Sequence, residues 1–333
     1  MRKIYWGPIG YAILILIWFG LWLAVKDGWW WMASLNRFAP QLFLPAPFIL
    51  LLAVMSGQRK LVLAALVPIF IFSWLYWPYF IPRPAQSLSG PTLRMMTFNV
   101  LYTNTHYDAI ADLILEHQPD LAALQEVQPG MMRRLEERLS GMYPFSLMGS
   151  DHPYGTTAAF SRHPLTDSYV LDTKADRPAV VMRLTVNGEP VTFVSAHLLA
   201  FGLNWVLLTD AAQIPTAIDL RVFEQERQAL IILEEVQNHQ GTVIVACDCN
   251  SKETSGSTRI LAGALTNAAW AVGQRVGGTG LAGGQPDLDL HHIDFVFFRG
   301  PLTAEGVYTL RDTAGSDHLP VVAEFAINLT QEK

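Results

Sequence analysis

Asp248 and Asn250 close the apolar run Val243–Ala246, and Asp317 and His318 sit in a turn just ahead of Pro320. Alternation along an extended run puts Asp248 and Asn250 on one face of a sheet end. An acidic ligand for a hard cation and an imidazole able to take a proton from water are what a metal-assisted phosphoester hydrolase needs. The same pattern, a polar side chain ending an apolar strand or sitting just beyond it, recurs at Asn99, Glu126, His197 and Asp294. Any one of these alone reads as a capping or surface residue. Repeated, they point to a shared crevice, because strand ends on one edge of a sheet converge.

The elements that must carry these residues follow from periodicity. Strands are expected at Leu93–Val100, Asp120–Val127, 156–161, 179–186, 191–197, 243–248, 293–298, 305–310 and 320–327. Helices are expected at Asp108–His117, around Met131–Leu139, over 221–238 with Val222, Leu230, Leu233 and Val236 inward, and from Ser257. Strands and helices that alternate and then give way to clustered strands predict a layered α/β domain. The Gly-rich run Gly277–Gly284 lacks a following Lys-Ser/Thr, so it reads as a mobile surface loop rather than a phosphate-binding loop. Cys247 and Cys249 read as two small buried residues, since a pair so close along an extended strand does not close an unstrained disulfide.

The front of the chain is different. No charge falls in residues 4–25, 38–58 or 61–82, three stretches of 22, 21 and 22 residues. Each reaches the ~20 residues that cross a bilayer. We therefore expect a transmembrane region at 1–82 with spans about 5–25, 39–57 and 61–81, a Pro/Ser/Gly linker at 83–92, and a catalytic domain at 93–333. Pro40, Pro45 and Pro47 make the second span the weakest, with a re-entrant segment as its alternative. The pairs Arg2-Lys3 and Arg59-Lys60 mark the cytoplasmic side. The clusters Trp29-Trp30-Trp31 and Trp74, Tyr76, Trp77, Tyr79 then lie at the outer interface. Three spans place the domain outside the cytoplasm, as in a bacterial inner-membrane protein facing the periplasm.

Charge divides the same way. Of 23 Lys+Arg and 29 Asp+Glu, 7 and 1 fall in residues 1–90, leaving 16 against 28 in the remainder. Sequence-independent nucleic-acid binding depends on basic contacts to phosphates, so this balance disfavours nucleic acid as a partner.

Thr97-Phe98-Asn99-Val100, Leu124-Gln125-Glu126-Val127, Ser195-Ala196-His197-Leu198, Asp248-Cys249-Asn250, Ile293-Asp294-Phe295-Val296 and Ser316-Asp317-His318-Leu319-Pro320 occur in the order and approximate spacing of the endonuclease/exonuclease/phosphatase superfamily. The resemblance covers about residues 93–327. It implies a four-layer α/β/β/α sandwich with the site at the loop edge of two packed sheets, and it implies roles. Glu126 is the principal Mg²⁺ ligand, Asp317 a second acidic contributor, and Asn99 supports the metal and phosphate. His318, oriented by Asp294, is the base or a phosphate-contacting imidazole. Asp248 positions water, Asn250 holds phosphate oxygens, and His197 stabilises the transition state or protonates the leaving oxygen. Tyr154 stands where some relatives use a phosphate-contacting Tyr. Leu101 stands where some nuclease members carry Asp, which weakens a nuclease assignment.

The resulting expectation is a membrane-anchored, Mg²⁺-dependent phosphodiesterase, with Mn²⁺ as the other candidate ion. The apolar run 198–208 beside His197 directs the substrate expectation toward a phospholipid or other membrane-proximal phosphodiester. A DNA or RNA nuclease is the alternative, and a non-catalytic membrane-anchored binding protein is the further one.

Overall fold

The computed structural model describes residues 6–83, 91–202, 210–273, 277–280 and 292–328. Residues 84–90 of the expected linker and 203–208 of the 198–208 run therefore lie outside the described residues.

Two six-stranded sheets stack face to face. The first runs β11 (Leu302–Thr309), β12 (Val321–Ile327), β1 (Thr92–Asn99), β2 (Leu121–Val127), β4 (Thr156–Ser161), β3 (Phe145–Met148). The second runs β5 (Leu165–Leu171), β6 (Ala179–Val186), β7 (Glu189–His197), β8 (Thr242–Asp248), β10 (Asp294–Arg299), β9 (Thr266–Asn267). At the centre of the first, β1 (Thr92–Asn99) runs parallel to β2 (Leu121–Val127). At the centre of the second, β7 (Glu189–His197) runs parallel to β8 (Thr242–Asp248). The outer strands pair antiparallel: β12 (Val321–Ile327) against β1, β10 (Asp294–Arg299) against β8 and β6 (Ala179–Val186) against β7.

The central strands are apolar on both sides because both sides are covered. Leu93 and Met95 of β1 meet Phe193 of β7 and Ile244 of β8 in the core between the sheets. Met96 and Phe98, one residue out of phase, meet Ile110 and Ile114 of α6 (Tyr107–His117) and Leu135 of α7 (Pro129–Leu139). The second sheet turns Val194, Val243 and Val245 toward Ala229, Ile232 and Val236 of α8 (Ile214–Gln237). Full burial of one such side chain contributes ~1.5–3 kcal/mol. This is the expected layered arrangement, with helices on both outer faces.

Three expectations need correction. Helix α8 starts at Ile214, not 221, and buries Ile218, Val222, Gln225, Ala229, Ile232 and Val236, while Leu230 is exposed. The sequence reading missed that Gln225 and Gln228 lie on the inner face, where Gln228 accepts the Leu199 N–H at 2.8 Å. Leu230 is one residue, about 100°, off that face. Second, Cys247 and Cys249 form a disulfide. Strand β8 ends at Asp248, the residue between them, and the two Cα atoms lie 5.1 Å apart, within bridging range.

The third concerns the membrane region. Among the described residues, only α1 (Trp6–Val25) and the stretch Arg59–Tyr79, which contains α5 (Arg59–Tyr76), are uninterrupted and apolar enough to cross a bilayer. The middle segment is α2 (Trp30–Arg37), α3 (Ala39–Leu42) and α4 (Ala46–Met55), bent by 76° between Trp30–Arg37 and Ala39–Met55. Pro40 in the first turn of α3, Pro45 before α4 and Pro47 in its first turn each withhold an N–H and start a new helix rather than continue one. It is a bent span or a re-entrant loop. Its two long neighbours both end against the catalytic domain. Trp22 Nε1 donates to the Thr254 carbonyl at 2.9 Å, and Tyr79 Oη donates to Glu253 Oε1 at 3.0 Å.

Candidate active site

The two parallel strand pairs point their C-terminal ends at one edge, and that edge is where the polar residues collect. Asn99 ends β1 and is in register with Gln125, next to Glu126. His197 ends β7 in register with Asp248 at the end of β8. Asp294 begins β10 directly opposite Asp248, as antiparallel pairing requires. His318 arrives from the loop before β12.

Asp248 is the hub. It is fully buried; Oδ2 accepts from Asn99 Nδ2 at 2.8 Å and Oδ1 accepts from the Asn250 N–H at 3.0 Å. Its Oδ2 also lies 3.3 Å from His197 Nε2 and 4.0 Å from His318 Nε2. His318 Nδ1 sits 2.9 Å from Asp294 Oδ2. Asn250 turns its side-chain amide to the Leu198 carbonyl at 3.0 Å. Asp317 is exposed and forms no hydrogen bond or ion pair with the other candidates among the described residues, though its charge acts on His318. Tyr154 is 67% exposed and meets Tyr102 edge-to-face at 5.9 Å.

Glu126 is placed by its backbone. It adopts φ +63° where β2 breaks register with β4 (Thr156–Ser161) between Leu124 and Val127. Its Oε2 accepts the Tyr102 N–H at 3.1 Å and its Oε1 is 3.9 Å from His197 Nε2. Gly155, itself at φ +80°, packs so closely that a Cβ there would lie 2.6 Å from the Glu126 carbonyl carbon. Gly155→Ala is therefore expected to cost ~2 kcal/mol or more in stability and to displace Glu126. Denaturant unfolding together with turnover of a soluble phosphodiester checks both effects.

Ligating atoms of Asp248, Asp294 and His318 lie within 4.8 Å of one another. Asp294 Oδ1 is buried with no hydrogen-bond partner among the described residues. An orphaned buried carboxylate oxygen beside a second buried carboxylate is costly unless a cation completes it. The carboxylate oxygens of Asp248 and Asp294 fit a hard divalent metal.

Burial first, and then the charge of Asp294, raises the Asp248 carboxyl above its ordinary range. Burial pulls His318 down, but Asp294 and Asp248 more than reverse this and hold it raised to about 10. His197 goes the other way, well below its usual value, through burial first and then the charges of Arg177 and His318. The buried pair of imidazoles is thus split into one protonated and one neutral ring at pH 7.

Two contributors escaped the sequence reading. Arg177 Nη1 lies 2.9 Å from His197 Nδ1 and also touches Nε2. It precedes β6, and β6 runs antiparallel to β7, so the start of β6 abuts the end of β7 that carries His197. That pairing is the only signal for it. Thr279, in the Gly-rich run read as a surface loop, is fully buried. Its Oγ1 accepts the N–H groups of Ile293 and Asp294, each at 3.1 Å, and its carbonyl accepts the Leu319 N–H at 2.7 Å, so it brackets Asp294 and His318. Residues 281–291 of the neighbouring segment lie outside the described residues. Ser316 Oγ donates to the Asn99 carbonyl at 2.6 Å and accepts the His318 N–H at 3.0 Å, tying two motifs together.

Two stacked sheets whose strand ends pool carboxylates and imidazoles define a metal-dependent phosphoester hydrolase. The chain belongs to the Endonuclease/Exonuclease/phosphatase family, whose model matches residues 96–318. No curated protein gives a match. Among solved structures, D. rerio TDP2 complexed with single strand DNA product is similar at 17% identity and TM-score 0.58, over 70% of this chain and 98% of that one. An endonuclease/exonuclease/phosphatase from Bacteroides vulgatus is similar at 18% identity and TM-score 0.57, over 71% and 99%. The human Nocturnin catalytic domain with bound sulfate anion is similar at 20% identity and TM-score 0.55, over 74% and 97%.

The comparison with D. rerio TDP2 corrects one expectation. Acidic composition does not disfavour nucleic acid, since a protein of this fold has been crystallised with a DNA product. Net charge was the wrong quantity. The carboxylates at the site suit a cation, and Arg177 supplies local positive charge that a whole-domain count hides.

Proposed function

We propose that this protein is a metal-dependent phosphodiesterase that hydrolyses nucleic-acid strands or other nucleotide phosphodiesters. The buried Asp248–Asp294–His318 group with its unpartnered Asp294 oxygen carries the reaction class. The exposed Tyr154, paired with Tyr102 beside Glu126, supports the substrate class, because aromatic faces at a phosphate site offer stacking to bases.

Glu126, Asp248 and Asp294, with Asn99 and the exposed Asp317 in supporting roles, would hold the ion, for which Mg²⁺ is our proposal. A bound divalent cation would neutralise charge developing on the phosphoryl oxygens. The chain's own groups do the rest. Asp248, held on both oxygens by Asn99 and Asn250, orients the attacking water and accepts its proton. The new bond joins the water oxygen to phosphorus, the bond from phosphorus to the leaving oxygen breaks, and that oxygen departs with the bonding pair and takes a proton from bulk water. His318, protonated and anchored on Asp294, presents an N–H to a phosphoryl oxygen, so of its two candidate roles we favour phosphate contact over base. His197, neutral and braced by Arg177, donates a hydrogen bond rather than a proton.

A second reading, a membrane-proximal phosphodiester such as a phospholipid, draws support from α2, which exposes Trp30 and Trp31 and packs Ala33 in one cluster with Phe201, just beyond His197. Topology belongs with it. Because α1 and α5 both end against the catalytic domain, the bent middle segment has to return across the bilayer if both neighbours span it. We therefore favour three crossings and an extracytoplasmic domain, as at a bacterial inner membrane.

The test is turnover by the full-length protein in detergent. Bis-p-nitrophenyl phosphate is expected to be hydrolysed with Mg²⁺ and spared in EDTA. A single-stranded oligonucleotide should then be cleaved faster than phospholipid in vesicles. Faster lipid hydrolysis would select the second reading, and no metal-dependent turnover on any diester would revive a non-catalytic binding protein. Arg177→Ala is expected to lower kcat/KM by about 10²-fold, as for loss of one preorganised cation at a phosphoryl site.

A further inference from the structure

Residues 250–256, which lead from Asp248 to the next helix, are gripped by the membrane-side helices. Besides the bonds from Trp22 and Tyr79, the Asn36 carbonyl accepts Thr254 Oγ1 at 3.0 Å and Asp27 Oδ2 accepts the Gly256 N–H at 2.7 Å. Those four contacts fall on 253–256. A fifth reaches the site. Arg37, the last residue of α2, donates Nη1 to the Asn250 carbonyl at 3.0 Å, and its guanidinium lies 4.6 Å from the centroid of Phe201. Gln225 Nε2 shares that carbonyl at 3.3 Å.

Asn250 takes a φ of +48°, a left-handed conformation that Asn adopts more readily than other residues with a Cβ, when its polar side chain is hydrogen-bonded locally. Its N–H orients Asp248 Oδ1 while its side chain holds the Leu198 carbonyl just past His197. The carbonyl lies on the peptide after the one whose N–H aims Asp248, so fixing it restrains the Asn250 backbone between the two. A guanidinium is well suited to this, since a charged donor bonds a carbonyl more strongly than a neutral one and Phe201 limits its motion.

We infer that Arg37 is a positioning residue for the Asp248–Asn250 turn, so that the helical N-terminal region completes the active site as well as anchoring it. The inference rests on the phosphodiesterase reading for its kinetic consequence but not for its structural one.

Full-length wild type, Arg37→Ala, Arg37→Lys and Tyr79→Phe in detergent with Mg²⁺ and bis-p-nitrophenyl phosphate provide the test. Arg37→Ala should lose about tenfold in kcat with KM within about twofold, Arg37→Lys should recover much of it, and Tyr79→Phe should stay within about twofold of wild type. Hydrogen–deuterium exchange on the metal-free proteins should show faster exchange at 248–252 in Arg37→Ala only. Wild-type kcat in Arg37→Ala overturns the inference whatever the exchange shows. Equal losses in Arg37→Ala and Tyr79→Phe also overturn it, because Arg37 would then be one docking contact among several. An inactive wild type refutes the phosphodiesterase reading instead, and exchange alone then decides: acceleration confined to 248–252 in Arg37→Ala supports positioning, and unchanged exchange overturns it.

Discussion

Asp248→Asn is expected to reduce kcat on a soluble phosphodiester by about 10³-fold or more while the protein stays folded. The side chain is fully buried, receives two donors and faces both imidazoles, so the amide keeps the volume and loses the charge and the proton acceptor. Stability supplies a second readout. Burial and Asp294 raise the Asp248 carboxyl in the folded state. A carboxyl raised in this way contributes stability below its unfolded value, and that contribution is lost as pH climbs through the folded one. At low pH wild type carries a neutral acid much like the amide; at higher pH it carries a buried charge beside another. In EDTA, the unfolding temperature of Asp248→Asn minus that of wild type should therefore rise between about pH 4 and pH 8. A flat difference would mean that Asp248 is not held near a second charge. Undiminished turnover would remove it from the reaction.

His318→Gln should lose about 10²- to 10³-fold in kcat, the range typical of removing one preorganised donor aimed at developing charge. The glutamine retains one N–H but no positive charge. Here too the sign of the pH effect can be worked out. The imidazole is raised to about 10 by Asp294 and Asp248 acting against burial. Its protonated form adds stability that is complete below the unfolded value, ~6.5, and is lost as pH rises through the folded one. In metal-free protein the stability advantage of wild type over His318→Gln should accordingly shrink from pH 6.5 upward. Thermal unfolding across that range checks it, and an advantage that grew with pH would show that His318 is neutral in the fold. His197, pushed down by burial and Arg177, should behave oppositely, its contribution failing as pH drops below ~6.5.

How much of this was legible in the sequence depends on what each feature requires. Asn99, Glu126, His197, Asp248 and Asp294 were readable because each is a polar residue terminating an apolar strand, and parallel pairing does the rest. The layers were readable because apolar positions alternate along β1 and recur at helical spacing in α6 and α7. Arg177 and Thr279 were not, since each reaches the site through strand pairing or a loop path that no local pattern encodes. Leu230 was misplaced because two buried glutamines occupy the face that hydrophobicity alone would assign to leucine. Net charge misled about partners because it averages over a surface, whereas binding is decided at the site. The Cys247–Cys249 bridge depends on the strand ending at Asp248, between the two cysteines, which an extended-strand reading rules out in advance.

The place of β12 bears on biosynthesis. Strand β1 is sandwiched between β2 and β12, with Thr92 opposite Ala326. During synthesis β1 and β2 emerge early and can pair, but the other edge of β1 has no partner until residues 321–327 leave the ribosome. Non-local pairing of this kind is slow to form, and an open apolar strand edge is prone to pair with other chains. The membrane helices, by contrast, emerge first and can insert before the sheet closes. If those helices anchor the chain, its central strand waits at the bilayer surface, with one edge open, until the last strand arrives.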